Sequence, residues 1–94
     1  MSGHVFHPGH HELHGVTVVL ETRGSRTYVG RFDSQDDRGV HLHDVGVHDA
    51  SAEGPSKEEF LRRCDKLGIR TEHRDLVVPG SEVVGIARLI DRVR

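Results

Sequence analysis

The nine histidines of this 94-residue chain are its side chains best suited to chemistry, because neutral imidazole ligates transition metals and titrates near neutral pH. Five of them, His4, His7, His10, His11 and His14, crowd the opening stretch MSGHVFHPGHHELH. Pro8-Gly9 interrupts that stretch, but a helical turn over 10–14 would set His10 and His14 on one face at i,i+4. The run His11-Glu12-Leu13-His14 falls one residue short of the His-Glu-x-x-His zinc pattern. A second pair, His41 and His43, sits in strand-like sequence, where i,i+2 residues share a face, here opposite Val40 and Leu42. Converging, His10, His14, His41 and His43 would bind Zn²⁺ or Ni²⁺, making a metal-binding or metal-sensing module. The alternative is a solvated polar arm and two histidines on the outer face of a half-buried strand.

Other reactive groups carry less. Asp33, Asp36, Asp37, Asp44 and Asp49 lack the fixed spacing of a calcium loop and read as turn residues. Cys64 lies in an apolar helical stripe with no activating partner nearby in sequence, and reads as a small buried hydrophobe. The sequence shows neither a phosphate-binding glycine loop nor a Ser/His/Asp order, so no enzyme is expected. Net charge is -2 and pI near 6.5, which removes the basic footprint of a non-specific nucleic-acid binder. Arg62, Arg63, Arg70 and Arg74 form the one cluster able to reach a phosphate backbone. A single cysteine excludes an intramolecular disulfide and suits a reducing cytoplasm. No signal peptide or membrane span is read from the sequence.

These residues need elements to position them. Val16, Val18 and Leu20 alternate with Thr17, Val19 and Glu21 in a period-two strand pattern. Arg23-Gly24-Ser25 turns the chain into a second strand from Thr27 to Phe32, with Tyr28, Gly30 and Phe32 on one face. Gly30 inside that strand marks a bend or a close backbone approach. Asp36-Asp37-Arg38-Gly39 leads to a third strand, Val40 to His43, and after Asp44 the apolar phase slips to Val45 and Val47, the mark of a bulge or of the end of regular pairing. Residues 49–56 are a linker. Ser56-Lys57-Glu58-Glu59 fits a capping box and opens a helix to Leu67, with Phe60, Cys64 and Leu67 as its stripe, Leu61 alongside, and Gly68 as its stop.

Leu76 to Ile86 is two apolar runs joined by Pro79-Gly80-Ser81-Glu82, giving strands at 75–78 and 83–89 and then a basic tail. Five short strands separated by turn chemistry, with one inserted helix and no strand–helix alternation, specify a mainly β, strongly bent antiparallel barrel and exclude a parallel α/β sheet. The chain reads as one domain, with residues 1–14 as a His-rich arm and 49–74 as an insertion. A chain this short buries only about 60–65% of its unfolded surface, and 34% hydrophobic residues make a lean core, so self-association is expected.

The run Val78 to Ile86 resembles the second signature of the Sm-like (LSm) family, Ile-Arg-Gly-Asp-Asn-Val-Val-x-Ile, with Pro79 standing in place of Arg and Gly80 matching Gly. Val16 to Leu20, Gly30-Arg31-Phe32, Asp36 and Val40-His41-Leu42 are similar to the first signature, with Gly39 standing where that family has a base-contacting Asn. The resemblance implies a small SH3-type barrel with a short N-terminal helix, the 57–67 helix being inserted between the third and fourth strands. It also implies a homo-oligomeric ring of six or seven subunits, formed by pairing the fourth strand of one with the fifth of the next. RNA is the implied partner. Asp36, Gly39, Pro79 and Gly80 stand at the family's contact positions, and Tyr28 and His41 are candidates for base stacking. The 57–67 helix is a candidate surface for a protein partner.

Overall fold

The computed structural model describes residues 12–94. The expectations for His4, His7, His10 and His11, and the first part of the N-terminal helical turn, lie outside the described residues. Glu12 to Gly15 form a turn, closed by the Val16 N–H donating to the Leu13 carbonyl at 2.8 Å.

Five antiparallel strands follow: β1 Thr17–Thr22, β2 Arg26–Asp36, β3 Gly39–Asp49, β4 His73–Val78 and β5 Val83–Arg88. They form one sheet in the order β4-β3-β2-β1-β5. Helix α1, Lys57–Leu67, is inserted between β3 and β4, a 3₁₀ turn at Gly80–Glu82 joins β4 to β5, and a short helix α2, Leu89–Val93, ends the chain. The fold is therefore small and mainly β, with two short helices. Among the described residues no helix is long and apolar enough to cross a membrane.

The period-two pattern sends alternate side chains to two cores. Val18, Leu20, Tyr28, Phe32, Val40, Leu42, Val45 and Val78 form the inner one, with Leu76, Val83 and Ile86 packed against it. Side chains from both edge strands meet in that single cluster, so the sheet is curled over its inner face. On the outer face Val19 and Val29 pack against Leu61 and Cys64 of α1 and Leu89 of α2.

The phase slip after Asp44 is a bulge. β2 and β3 shift register between Val29 and Arg31, where Val29 faces Gly46 and Arg31 faces His43, so Asp44 and Val45 both stand opposite Gly30. Asp44 takes φ 52, which aspartate tolerates better than most residues, and its carboxylate is paired with the Arg31 guanidinium. The extra residue returns Val45 to the face of Val40 and Leu42, so β3 runs on to Asp49 instead of ending at His43 as expected. Gly30 is the close approach foreseen, since a Cβ there would lie 3.0 Å from the His43 carbonyl oxygen and from the Val45 side chain.

Two expectations need correction. The last strand stops at Arg88, and Leu89–Val93 is helical rather than a fraying strand. The reason is that Leu89 is buried and Val93 packs with it in the outer cluster, one turn apart on one face. On α1, Leu67 is 75% exposed rather than part of the buried stripe. Gly68, at φ 92, reverses the chain, and Ile69 packs into the outer cluster instead. The capping box is as expected: Ser56 Oγ accepts from the Glu59 N–H at 3.1 Å and Glu59 Oε1 from the Ser56 N–H at 2.9 Å.

Candidate functional site

The histidine face is built by β3. His41 and His43 project together, as the strand period requires, and each meets carboxylates from neighbouring strands. His41 Nε2 lies 2.9 Å from Asp36 Oδ2. His43 Nδ1 lies 2.6 Å from Asp75 Oδ1 on β4, and its Nε2 lies 3.3 Å from Asp33 Oδ1 on β2. Only the imidazolium donates from both nitrogens, and the Asp75 and then the Asp33 contacts hold the His43 pKa above the ordinary imidazole value. The Asp33 carboxyl is lowered by its bond from Ser34 and then by His43. Asp36 is lowered by His41 and then by the Arg38 N–H.

This geometry does not converge on a metal. The two carboxylates sit on opposite nitrogens of one ring, so each occupies a lone-pair direction that a metal would need. Among the described residues no group of three or more His, Cys, Asp or Glu is placed to hold an ion. His14 reaches the same residue as His43 but through its backbone, Nδ1 lying 2.9 Å from the Asp33 carbonyl, and His10 is outside the described residues. His48, near the end of β3, is buried against Phe60 with ring centroids 5.4 Å apart. Its Nε2–H donates to the Pro55 carbonyl at 2.8 Å, which anchors the linker, and its Nδ1 is unpartnered. Cys64 is buried in the outer cluster, and burial pushes its thiol up.

Of the nucleic-acid candidates, the structure brings Gly39, Pro79, Asp36 and His41 together. Gly39 is paired with Asp36 across the β2–β3 turn, and a Cβ at Gly39 would lie 2.1 Å from the Val78 carbonyl oxygen and 3.0 Å from Pro79 Cα. Gly39 also takes φ +137. The start of β3 thus lies against the exit of β4 so closely that only glycine fits, and no side chain projects there toward a base. Gly80 opens the adjoining 3₁₀ turn and is exposed. Tyr28 is elsewhere and is 9% exposed, its ring in the inner core. It faces inward with Phe32 because both share the apolar face of β2, so it provides no stacking platform. Arg62, Arg63, Arg70 and Arg74 are all exposed.

The feature that sequence reasoning located best is the pair of sheet edges. β4 and β5 are the two ends of the strand order. β4 carries Val77 at 40% exposure and β5 carries Val84 at 62%. Among the described residues, neither edge has a strand partner on its outer side.

A cavity of about 670 Å³ opens between the helices and the sheet, with Val16, Cys64, Ile69 and Leu89 on its walls and Arg31, Asp44, Asp65 and Arg88 also lining it. It gathers no convergent polar set, since Arg31 is paired with Asp44 and Arg88 with Asp91.

No family model matches the chain, and no curated protein matches it. Among solved structures it is similar to a chain in the crystal structure of the NatC complex bound to CoA, with a TM-score of 0.56 at 17% identity, over 89% of this chain and 92% of that one. At that identity the likeness concerns the fold alone.

Proposed function

We propose that this chain is an Sm-like assembly module whose curled sheet is a small barrel, and whose copies join edge to edge, β4 of one against β5 of the next, into a ring that serves as a binding scaffold. The observation that carries the reading is the pair of open edges, each with an exposed valine, Val77 on one and Val84 on the other. Apolar open edges left unpaired template aggregation. Because the two edges differ, they join head to tail, and a head-to-tail contact closes into a ring when its rotation permits. The strand order and the inserted helix agree with the Sm-like resemblance, from which six or seven subunits are expected.

The partner implied by that resemblance is RNA, but the turn at Gly39 and Pro79 favours scaffolding. Gly39 has no side chain, Pro79 offers neither a guanidinium nor an N–H, and the neighbouring histidines are engaged by Asp33, Asp36 and Asp75. Those carboxylates repel phosphate. The same contacts withdraw support from the metal reading.

Light scattering at micromolar concentration tests the assembly. A single species several times the 10.5 kDa subunit mass is expected, and a stable monomer refutes the ring. Val84→Lys places a charge on the β5 edge and should weaken assembly at least about tenfold, or about 1.4 kcal/mol per contact, with the β-sheet circular dichroism unchanged. Anisotropy with U-rich and A-rich oligomers decides the partner. Steeply salt-dependent binding would restore RNA, because phosphate contacts weaken as salt rises.

A further inference from the structure

The inner face of α1 is spent on the fold, through Leu61 and Cys64. Its outer face in the last two turns is Arg62, Arg63, Lys66 and Leu67, all exposed. The cations in ion pairs are Arg26, Arg31, Lys57, Arg88, Arg92 and Arg94. Among the described residues Arg62, Arg63 and Lys66 have no such partner. Glu59, which caps Ser56, is within electrostatic reach of both arginines but forms no ion pair with either. In a chain of net charge -2, the last two turns of α1 thus present three cations without an ion pair. Leu67, the most exposed large hydrophobic of the described residues at 75%, adjoins them, one turn on from Arg63.

We propose that the outer face of α1 docks an acidic protein segment that also supplies an apolar side chain to cover Leu67. Charge complementarity selects the acidic partner, and Leu67 selects protein over nucleic acid. A base-stacking platform needs exposed aromatic rings, whereas among the described residues Tyr28 and Phe32 are buried and Phe60 is half-buried against His48. The face lies on the solvent side of a helix whose other side packs on β1 and β2. The inference does not depend on ring formation.

The test is fluorescence anisotropy on the full chain, with three labelled probes: a peptide of about a dozen Asp, Glu and Leu residues, the same peptide with Leu replaced by Ser, and a U-rich oligoribonucleotide of similar charge, at about 50 and 200 mM salt, where screening differs. The expected result is saturable binding of the Leu-containing peptide in the micromolar range. That binding should weaken at least about tenfold in the double variant Arg62→Glu/Arg63→Glu, the equivalent of about 1.4 kcal/mol, and about threefold either in Leu67→Ser or with the Ser peptide. All three positions are solvent-facing, and unchanged circular dichroism establishes that the variants fold. Absence of peptide binding, or binding indifferent to the charge reversal, overturns the proposal. Oligoribonucleotide binding that is tighter than the peptide's and lost on charge reversal overturns the assignment to protein.

Discussion

The two faces of the sheet are closed by different means. The inner face closes on itself: strand residues alone, from Val18 to Val78, supply its fully buried core. The outer face is closed by two added helices, and its buried set is smaller, Val19, Val29, Leu61, Cys64 and Leu89. Those helices are tied down at one point by charge. Glu21 at the end of β1 accepts from Lys57 Nζ of α1 at 3.0 Å and from Arg92 Nη1 of α2 at 2.5 Å. The inner core is thus what makes the sheet, and the outer layer is fastened to it. The difference teaches that the two layers have separable stabilities, with the outer one free to carry a partner surface.

The largest effects should come from the inner face. Phe32→Ala removes a ring that is 3% exposed and should cost about 4 kcal/mol, a large share of what a domain of this size has, so that all probes of unfolding shift together. Leu61→Ala, from a fully buried side chain on α1, should cost about 3 kcal/mol, but mainly to the outer layer. Hydrogen exchange should then accelerate through α1 and α2 while β2 and β3 keep their protection. If Leu61→Ala unfolded every region in step, the two layers would be one cooperative unit and the comparison would fail.

A smaller effect sharpens the same point through pH. Burial alone would raise the Glu21 carboxyl, but the bonds from Lys57 and Arg92 outweigh it and hold the group below its ordinary value of 4.5. A carboxyl with a depressed native pKa binds its proton more readily when unfolded, so its contribution is complete above the ordinary value and is lost as pH falls through the native one. Glu21→Gln should cost about 1 kcal/mol at pH 7. That cost should shrink as pH falls through the depressed native value, read as converging urea midpoints. Least of all, Ser56→Ala removes one capping bond and should cost about 1 kcal/mol or less, confined to the first turn of α1.

Much of this architecture is legible in the residues. Alternation in Val16–Glu21, the slip after Asp44, the Gly30 approach and the Ser56 capping box each have one local physical cause, and each appears where that cause operates. What was not legible depends on contacts distant in sequence. Leu89–Val93 carries a helical signal, Leu89 and Val93 at i,i+4, but five residues are too few to outweigh a preceding strand, and its packing against α1 fixes it. Tyr28 reads as a base-stacking candidate, yet the face it shares with Phe32 is the buried one. The His41 and His43 pairing was readable, whereas their carboxylates come from β2 and β4, and no local pattern announces Asp75 opposite His43. Gly39 reads as a turn residue, and only the approach of Val78 reveals why nothing larger fits.

The pairing of β1 with β5 has a consequence in time. Val18 lies opposite Arg88 and Leu20 opposite Ile86, so the second strand that flanks β1 is the last of the five to be synthesised. Until then the β2–β3 hairpin and its neighbours form a sheet whose β1 edge is bare, and the long loop to be closed makes the final step slow. A nascent sheet held open in this way is at its most vulnerable to mispairing with its own kind. For a protein whose finished edges are read as meeting places between copies, the order of synthesis sets when the wrong edge is available.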